Sequence, residues 1–110
     1  MKYLITESQI DKVIFKYLDN QDFVIIKRKK QIYFANSDND KFSQIRYDKK
    51  DGWCFISYKL IEEISRFFSL HTADSEEIIG RWVGNTLKLR ITSTDNYPGD
   101  EMPVMVIPPK

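Results

Sequence analysis

Apolar residues near the start of the chain fall at Ile10, Val13, Ile14, Tyr17 and Leu18. That three-and-four spacing lays one stripe along a helix, predicted from Glu7 to about Asp19. Thr6 with Gln9 three positions later forms a capping box, and Ile5 is placed to staple onto Ile10. Asn20-Gln21-Asp22 ends the helix. The period then drops to two. Phe23-Val24-Ile25-Ile26, Ile32-Tyr33-Phe34-Ala35, Phe42 to Tyr47 and Trp53-Cys54-Phe55-Ile56 read as strands. Polar clusters at Asn36-Ser37-Asp38-Asn39-Asp40 and Asp48-Lys49-Lys50-Asp51-Gly52 supply turns between them. Short links of this kind join antiparallel neighbours, so the four strands form a meander.

Helical spacing returns at Leu60, Ile61, Ile64, Phe67 and Phe68, with Ser57 as the cap, and predicts a helix over Tyr58–Ser69. A further start signal follows at Asp74 with Glu77. The stripe Ile78, Ile79, Trp82, Val83 then carries a third helix to about Asn85. Leu87, Leu89 and Ile91 alternate with Lys88, Arg90 and Thr92, which predicts a half-exposed strand. Asp95 to Asp100 reads as a loop. Val104 to Ile107, between Pro103 and Pro108-Pro109, reads as a last strand at an edge or as an extended tail, so 95–110 is expected to be an extended edge strand or tail of the domain. The expectation is one α+β domain over 1–110: an N-terminal helix, a four-stranded antiparallel meander, two helices and C-terminal strand structure. It forms one sheet with helices on one face.

Composition narrows the function classes. The chain has 110 residues, 17 Lys+Arg and 16 Asp+Glu, so no global field draws it to nucleic acid or to an anionic membrane. The charge is uneven: residues 1–60 carry 12 cations and 8 anions, residues 61–110 carry 5 and 8. No apolar run approaches the roughly 20 residues of a membrane span. No signal peptide is recognisable, and Cys54 is the only cysteine. The expectation is a soluble protein of a reducing cytoplasm, with no membrane association.

Four consecutive cations, Lys27-Arg28-Lys29-Lys30, lie between the first two strand runs. As a solvated hairpin tip they also discourage edge-to-edge pairing. As a phosphate grip they would give salt-sensitive binding. In a meander the first and third links share one end of the sheet. Lys49 and Lys50 can therefore join Lys27, Arg28, Lys29 and Lys30 in one patch. Asp19, Asp22, Asp38 and Asp40 are close in sequence and count against that field. Tyr33, Phe34, Phe42, Tyr47, Trp53 and Phe55 are interleaved with the strands. Most belong to a core, though exposed rings beside basic loops can stack single-stranded bases.

Little else points to chemistry. His71 is the sole histidine and suits the end of the second helix. With one Cys and one His the usual zinc sets are out of reach. Cys54, between Trp53 and Phe55, reads as buried filler. Asp38-Asn39-Asp40 departs from a calcium loop, with Ser43 where glycine is needed. No phosphate-cradling glycine loop occurs, and no cofactor is expected. Gly80 and Gly84, one turn apart, predict close packing of the third helix against the second helix or a partner chain.

Two segments, YLITESQIDKVIFKYLDNQDF (3–23) and IRYDKKDGWCFISYKLIEEISRFFSL (45–70), resemble small uncharacterised proteins of marine bacteriophages. The resemblance implies a viral setting inside an infected bacterium, and brings no catalytic residues with it. The functional expectation is a non-catalytic protein-interaction or assembly module that self-associates or binds a protein partner. The alternative is a nucleic-acid-binding accessory protein using the basic hairpin tips.

Overall fold

The computed structural model describes residues 7–98 and 101–104. In chain order the elements are α1 (Glu7–Asp19), β1 (Val24–Lys27), β2 (Gln31–Ala35), β3 (Phe42–Asp48), β4 (Trp53–Ser57), α2 (Tyr58–Phe68), α3 (Thr72–Leu87), β5 (Ser93–Tyr97) and β6 (Met102–Pro103). The α+β class, the first helix, the meander and the helix pair all follow the hydrophobic pattern. Thr6, and with it the predicted capping box, lies outside the described residues, as do 105–107 of the predicted last strand.

The sheet runs β1-β2-β3-β4-β5, with β6 on β3. The first four strands pair antiparallel, in the registers Ile25↔Phe34, Phe34↔Ile45 and Ile45↔Ile56. Cross-strand partners share a face, so these residues line one side. All three helices pack there. Ile14, Leu18, Phe34, Ile45, Cys54, Ile56, Ile61, Ile64, Ile79 and Val83 are essentially sealed from solvent. Each such side chain contributes about 1.5–3 kcal/mol of transfer free energy. On the other face Tyr33, Ala35 and Val104 form a second small cluster.

The end of the chain departs from expectation in three ways. The sheet is mixed, because β5 pairs parallel to β4, Trp53↔Ser93 through Ser57↔Tyr97. A parallel pair needs a long crossover, and the α2–α3 pair supplies it. Second, the alternating run Leu87 to Thr92 is not a strand. α3 continues to Leu87, and Lys88 turns left-handed (φ 56) to cap it. Leu87 and Ile91 then pack on the core. The strand is the polar segment Ser93–Tyr97, which looked like the approach to a loop. Third, the last strand among the described residues is Met102–Pro103. It pairs with Phe42 and Ser43, in line with β4 along the same edge of β3. Met102 anchors it at 1% exposure, and Ser43 Oγ donates to the Met102 carbonyl (3.2 Å).

The helix ends have visible causes. Ser57 caps α2: its Oγ accepts the Leu60 N–H at 3.2 Å and donates to Gln44. Ser69, left-handed at φ 56, closes it. α3 starts two residues before Asp74. His71 occupies the N-cap position without a side-chain bond, and Asp74 sits in the first turn. His71 thus begins α3 instead of capping the end of α2. The two helices are pinned by Ser65 Oγ and Ser75 Oγ, 2.7 Å apart and buried.

Candidate functional site

The register puts both basic turns at one end of the sheet. Lys27 faces Ile32 and Gln31 faces Asp48. The tip between β1 and β2 is therefore Arg28-Lys29-Lys30, closed by the Arg28 N–H donating to the Gln31 carbonyl (2.7 Å). The turn between β3 and β4 holds Lys49 and Lys50. The two turns are joined directly: the Lys49 N–H donates to the Lys30 carbonyl at 3.0 Å. Lys27, Lys29, Lys30, Lys49 and Lys50 are exposed and Arg28 is half-buried.

A seventh cation belongs to this rim. Because β5 is parallel to β4, the segment entering β5 arrives where β4 begins. The Thr92 N–H donates to the Gly52 carbonyl (2.8 Å), and the Tyr47 hydroxyl donates to the Arg90 carbonyl (3.3 Å). Gly52 makes this approach possible. It has φ +76, and a Cβ there would lie 2.5 Å from Thr92 Oγ1 and 3.3 Å from the Arg90 carbonyl. Arg90 is exposed and its carbonyl lies against Gly52, two positions after Lys50, though Arg90 is forty positions from Lys50 in sequence. Nothing local to Arg90 signals this, since the parallel pairing of a polar strand leaves no apolar periodicity to read.

The carboxylates at this end are engaged. Asp51 Oδ1 accepts the Trp53 N–H (3.1 Å). Asp48 Oδ1 accepts from Gln31 Nε2 (3.1 Å) and lies 3.1 Å from Arg46 Nε. That Arg46 contact is electrostatic, because its N–H is not aimed at an acceptor. Asp19, Asp22, Asp38 and Asp40 sit at the opposite end of the strands. Asp22 precedes β1 and Lys27 ends it; five steps of extended chain are about 16 Å. That exceeds the roughly 8 Å screening length at physiological salt. Neighbours in sequence, these acids are remote in the fold.

Beside the rim, on the face away from the helices, lies an aromatic tier. Trp53 and Phe55 rings are 6.1 Å apart and 29° from parallel. The Arg46 guanidinium stands 4.6 Å over the Phe55 ring, from the residue directly opposite on β3. Trp53 and Phe55 are half-buried, whereas Tyr33, Phe34 and Tyr47 are buried. Phe42 is exposed at the far end of the sheet.

The remaining candidates behave differently. Cys54 is fully buried, and desolvation, with Glu76 and Asp48 adding to it, pushes its thiol up from 9.0 to about 12. His71 is exposed at the α2–α3 junction. Among the described residues no three His, Cys, Asp or Glu side chains converge to hold a metal ion. No described helix is long and apolar enough to cross a membrane. Gly80 and Gly84 pack against the β5 side, not against α2: a Cβ on Gly80 would lie 2.5 Å from Thr94 Cγ2, and one on Gly84 3.2 Å from Ile91. An open groove of about 660 Å³ runs over these glycines. The charges of Arg81 and Asp11 in it pair with each other at 3.2 Å. Comparison of the chain with family models, curated proteins and solved structures finds no match.

Proposed function

We propose that the protein is a non-catalytic nucleic-acid-binding accessory factor, whose basic strand-end holds a phosphate backbone. One observation carries the reading: the 3.0 Å bond between Lys49 and Lys30 joins two basic turns into one rim. Exposed lysines on a shared edge, which outnumber the nearby carboxylates Asp48 and Asp51, suit phosphates better than they suit an acidic protein face needing defined geometry. The resemblance to small phage proteins supports a working place in the cytoplasm of an infected bacterium.

The test is binding of generic single- and double-stranded nucleic acid across a salt series. Wild type is expected to bind in the micromolar range near physiological salt, with affinity falling steeply as salt rises. Changing Lys27, Arg28, Lys29 and Lys30 together to Ser should make the log–log salt slope shallower by about 0.7–0.9 for each phosphate that is no longer neutralised. Absence of binding even at low salt would end this reading.

A second reading, a protein-interaction or assembly module, draws on a different surface. Phe67 is 68% exposed on α2 and packs on Tyr17 (5.2 Å) and Phe68 (4.9 Å). Val13 and Tyr58 are also exposed. Charged residues Lys59, Glu62, Glu63 and Arg66 border Tyr58 and Phe67, the rimmed apolar pattern of protein-binding surfaces. Phe67→Glu should leave the fold intact and abolish any self-association seen by sedimentation. An unchanged sedimentation profile at high concentration removes this surface from consideration.

A further inference from the structure

The rim's second component is the flat aromatic tier that starts where the basic turn ends. Trp53 is the first residue of β4, three positions after Lys50, so its backbone lies within about 10 Å of that cation. It is not the core tryptophan. Trp82 fills that role, 5% exposed, with its indole N–H donating to Asp19 Oδ1 at 2.9 Å. Trp53 is half-buried on the face opposite the helices, and its indole N–H meets no acceptor among the described residues. Its ring continues into Phe55, and Phe55 into the Arg46 guanidinium. A further planar group added to this tier extends it.

We infer that the ligand of this end is single-stranded nucleic acid, with a base stacked on the Trp53–Phe55 tier and adjacent phosphates on Lys30, Lys49 and Lys50. The inference rests on the phosphate reading above and adds the strandedness of the partner. A duplex keeps its base faces internal and offers only its charged exterior to such a rim. A single strand offers ring faces and phosphates alternately along its length. The site offers the complementary pair, flat rings beside cations, with the backbone of Trp53 held by the Asp51 carboxylate (3.1 Å). No hydrogen-bonding pattern for a particular base edge accompanies the tier, so sequence preference is expected to be weak.

Intrinsic fluorescence reads the tier directly, because Trp82 is sealed and lies against Asp19, at the far end of the sheet. The protein is titrated at one low salt concentration with an oligothymidylate of about a dozen nucleotides, the matching duplex, and inorganic polyphosphate. The single strand is expected to quench tryptophan emission and to bind several-fold tighter than the duplex, and polyphosphate to bind without quenching. Trp53→Ala should weaken single-strand binding roughly 5- to 100-fold and leave polyphosphate binding unchanged. Trp53→Phe, which keeps a flat ring, should retain most of the affinity and guard against a folding defect in the alanine variant. Binding of single strand and polyphosphate alike, with no quenching and no loss in Trp53→Ala, overturns the stacking inference and leaves the phosphate reading standing. Failure to bind either polyanion overturns both.

Discussion

Cys54 shows how far a single side chain can be read from its surroundings. Its position between two aromatic residues suggests filler, and in the fold it is sealed beneath the helices. The thiol is held protonated up to about pH 12, against an ordinary value of 9.0. Between those values the unfolded chain releases a proton that the folded chain keeps. This contribution is therefore complete below about pH 9 and is lost as pH rises toward 12. Wild type should lose stability above pH 9 by up to about 1.4 kcal/mol per pH unit more than Cys54→Ala. Parallel denaturant titrations of the two proteins at pH 8 and pH 11 measure the difference. A thiol reagent should label Cys54 only after unfolding. Gly52 makes a second residue-scale case. Its Asp-Gly turn signal is legible, but the close approach of Thr92 and Arg90 is not. Gly52→Ala should cost about 2 kcal/mol or more, combining a left-handed φ with a clash. Chemical denaturation would report the loss, together with a reduced salt slope as Arg90 leaves the rim.

Elements were legible wherever burial imposed a period. The stripes of α1 and α2 and the alternation in β4 follow from one buried face each, the unbroken apolar run of β2 follows from burial on both faces, and Ser57 announces its own cap. β5 illustrates the opposite situation. Ser-Thr-Asp-Asn-Tyr is held by backbone pairing to β4 and by the fit of Thr94 against Gly80, neither of which needs an apolar alternation. The alternating residues just before it are apolar for another reason: Leu87 and Ile91 close the end of the core as the chain leaves α3. The glycines of α3 were visible as a helix defect, but their counterpart was not. Gly80→Ala gains about 1 kcal/mol in helix propensity and meets Thr94 Cγ2 at 2.5 Å. Thr94 cannot easily turn away, because its Oγ1 donates to Glu76 at 3.0 Å. Overpacking of this kind costs about 1–3 kcal/mol, so Gly80→Ala should destabilise. In a Thr94→Ser background the methyl is gone, the hydroxyl remains, and the same substitution should become neutral or stabilising. A thermal double-mutant cycle shows the reversal.

At the scale of the molecule, charge is sorted by strand direction. A near-neutral chain carries seven of its cations, Lys27, Arg28, Lys29, Lys30, Lys49, Lys50 and Arg90, at one end of the meander, and Asp19, Asp22, Asp38 and Asp40 at the other, with Lys41 in the same link as Asp38 and Asp40. The six basic positions of the two turns could be named from sequence because a meander alternates its ends. The weight of the four acids was misjudged because sequence distance stood in for distance along a strand. The separation gives its own expectation. Asp22→Asn with Asp38→Asn should change polyanion affinity less than two-fold at physiological ionic strength, since both lie beyond a screening length from the rim. Substituting Lys30 and Lys49 by Ser should cost far more. Electrophoretic mobility shifts of the three proteins at one salt concentration make the comparison.

The parallel pairing of β5 with β4 also sets an order of events in time. The first two basic turns close within short hairpins, which form in microseconds. The Trp53–Ser93 pairing spans forty positions and waits for both crossover helices to dock. Loop closure over such a distance is the slow kind of contact. A chain emerging from the ribosome therefore has six of its rim cations in place before β5 can form. Arg90, fixed only by that last strand, arrives at a rim that already exists.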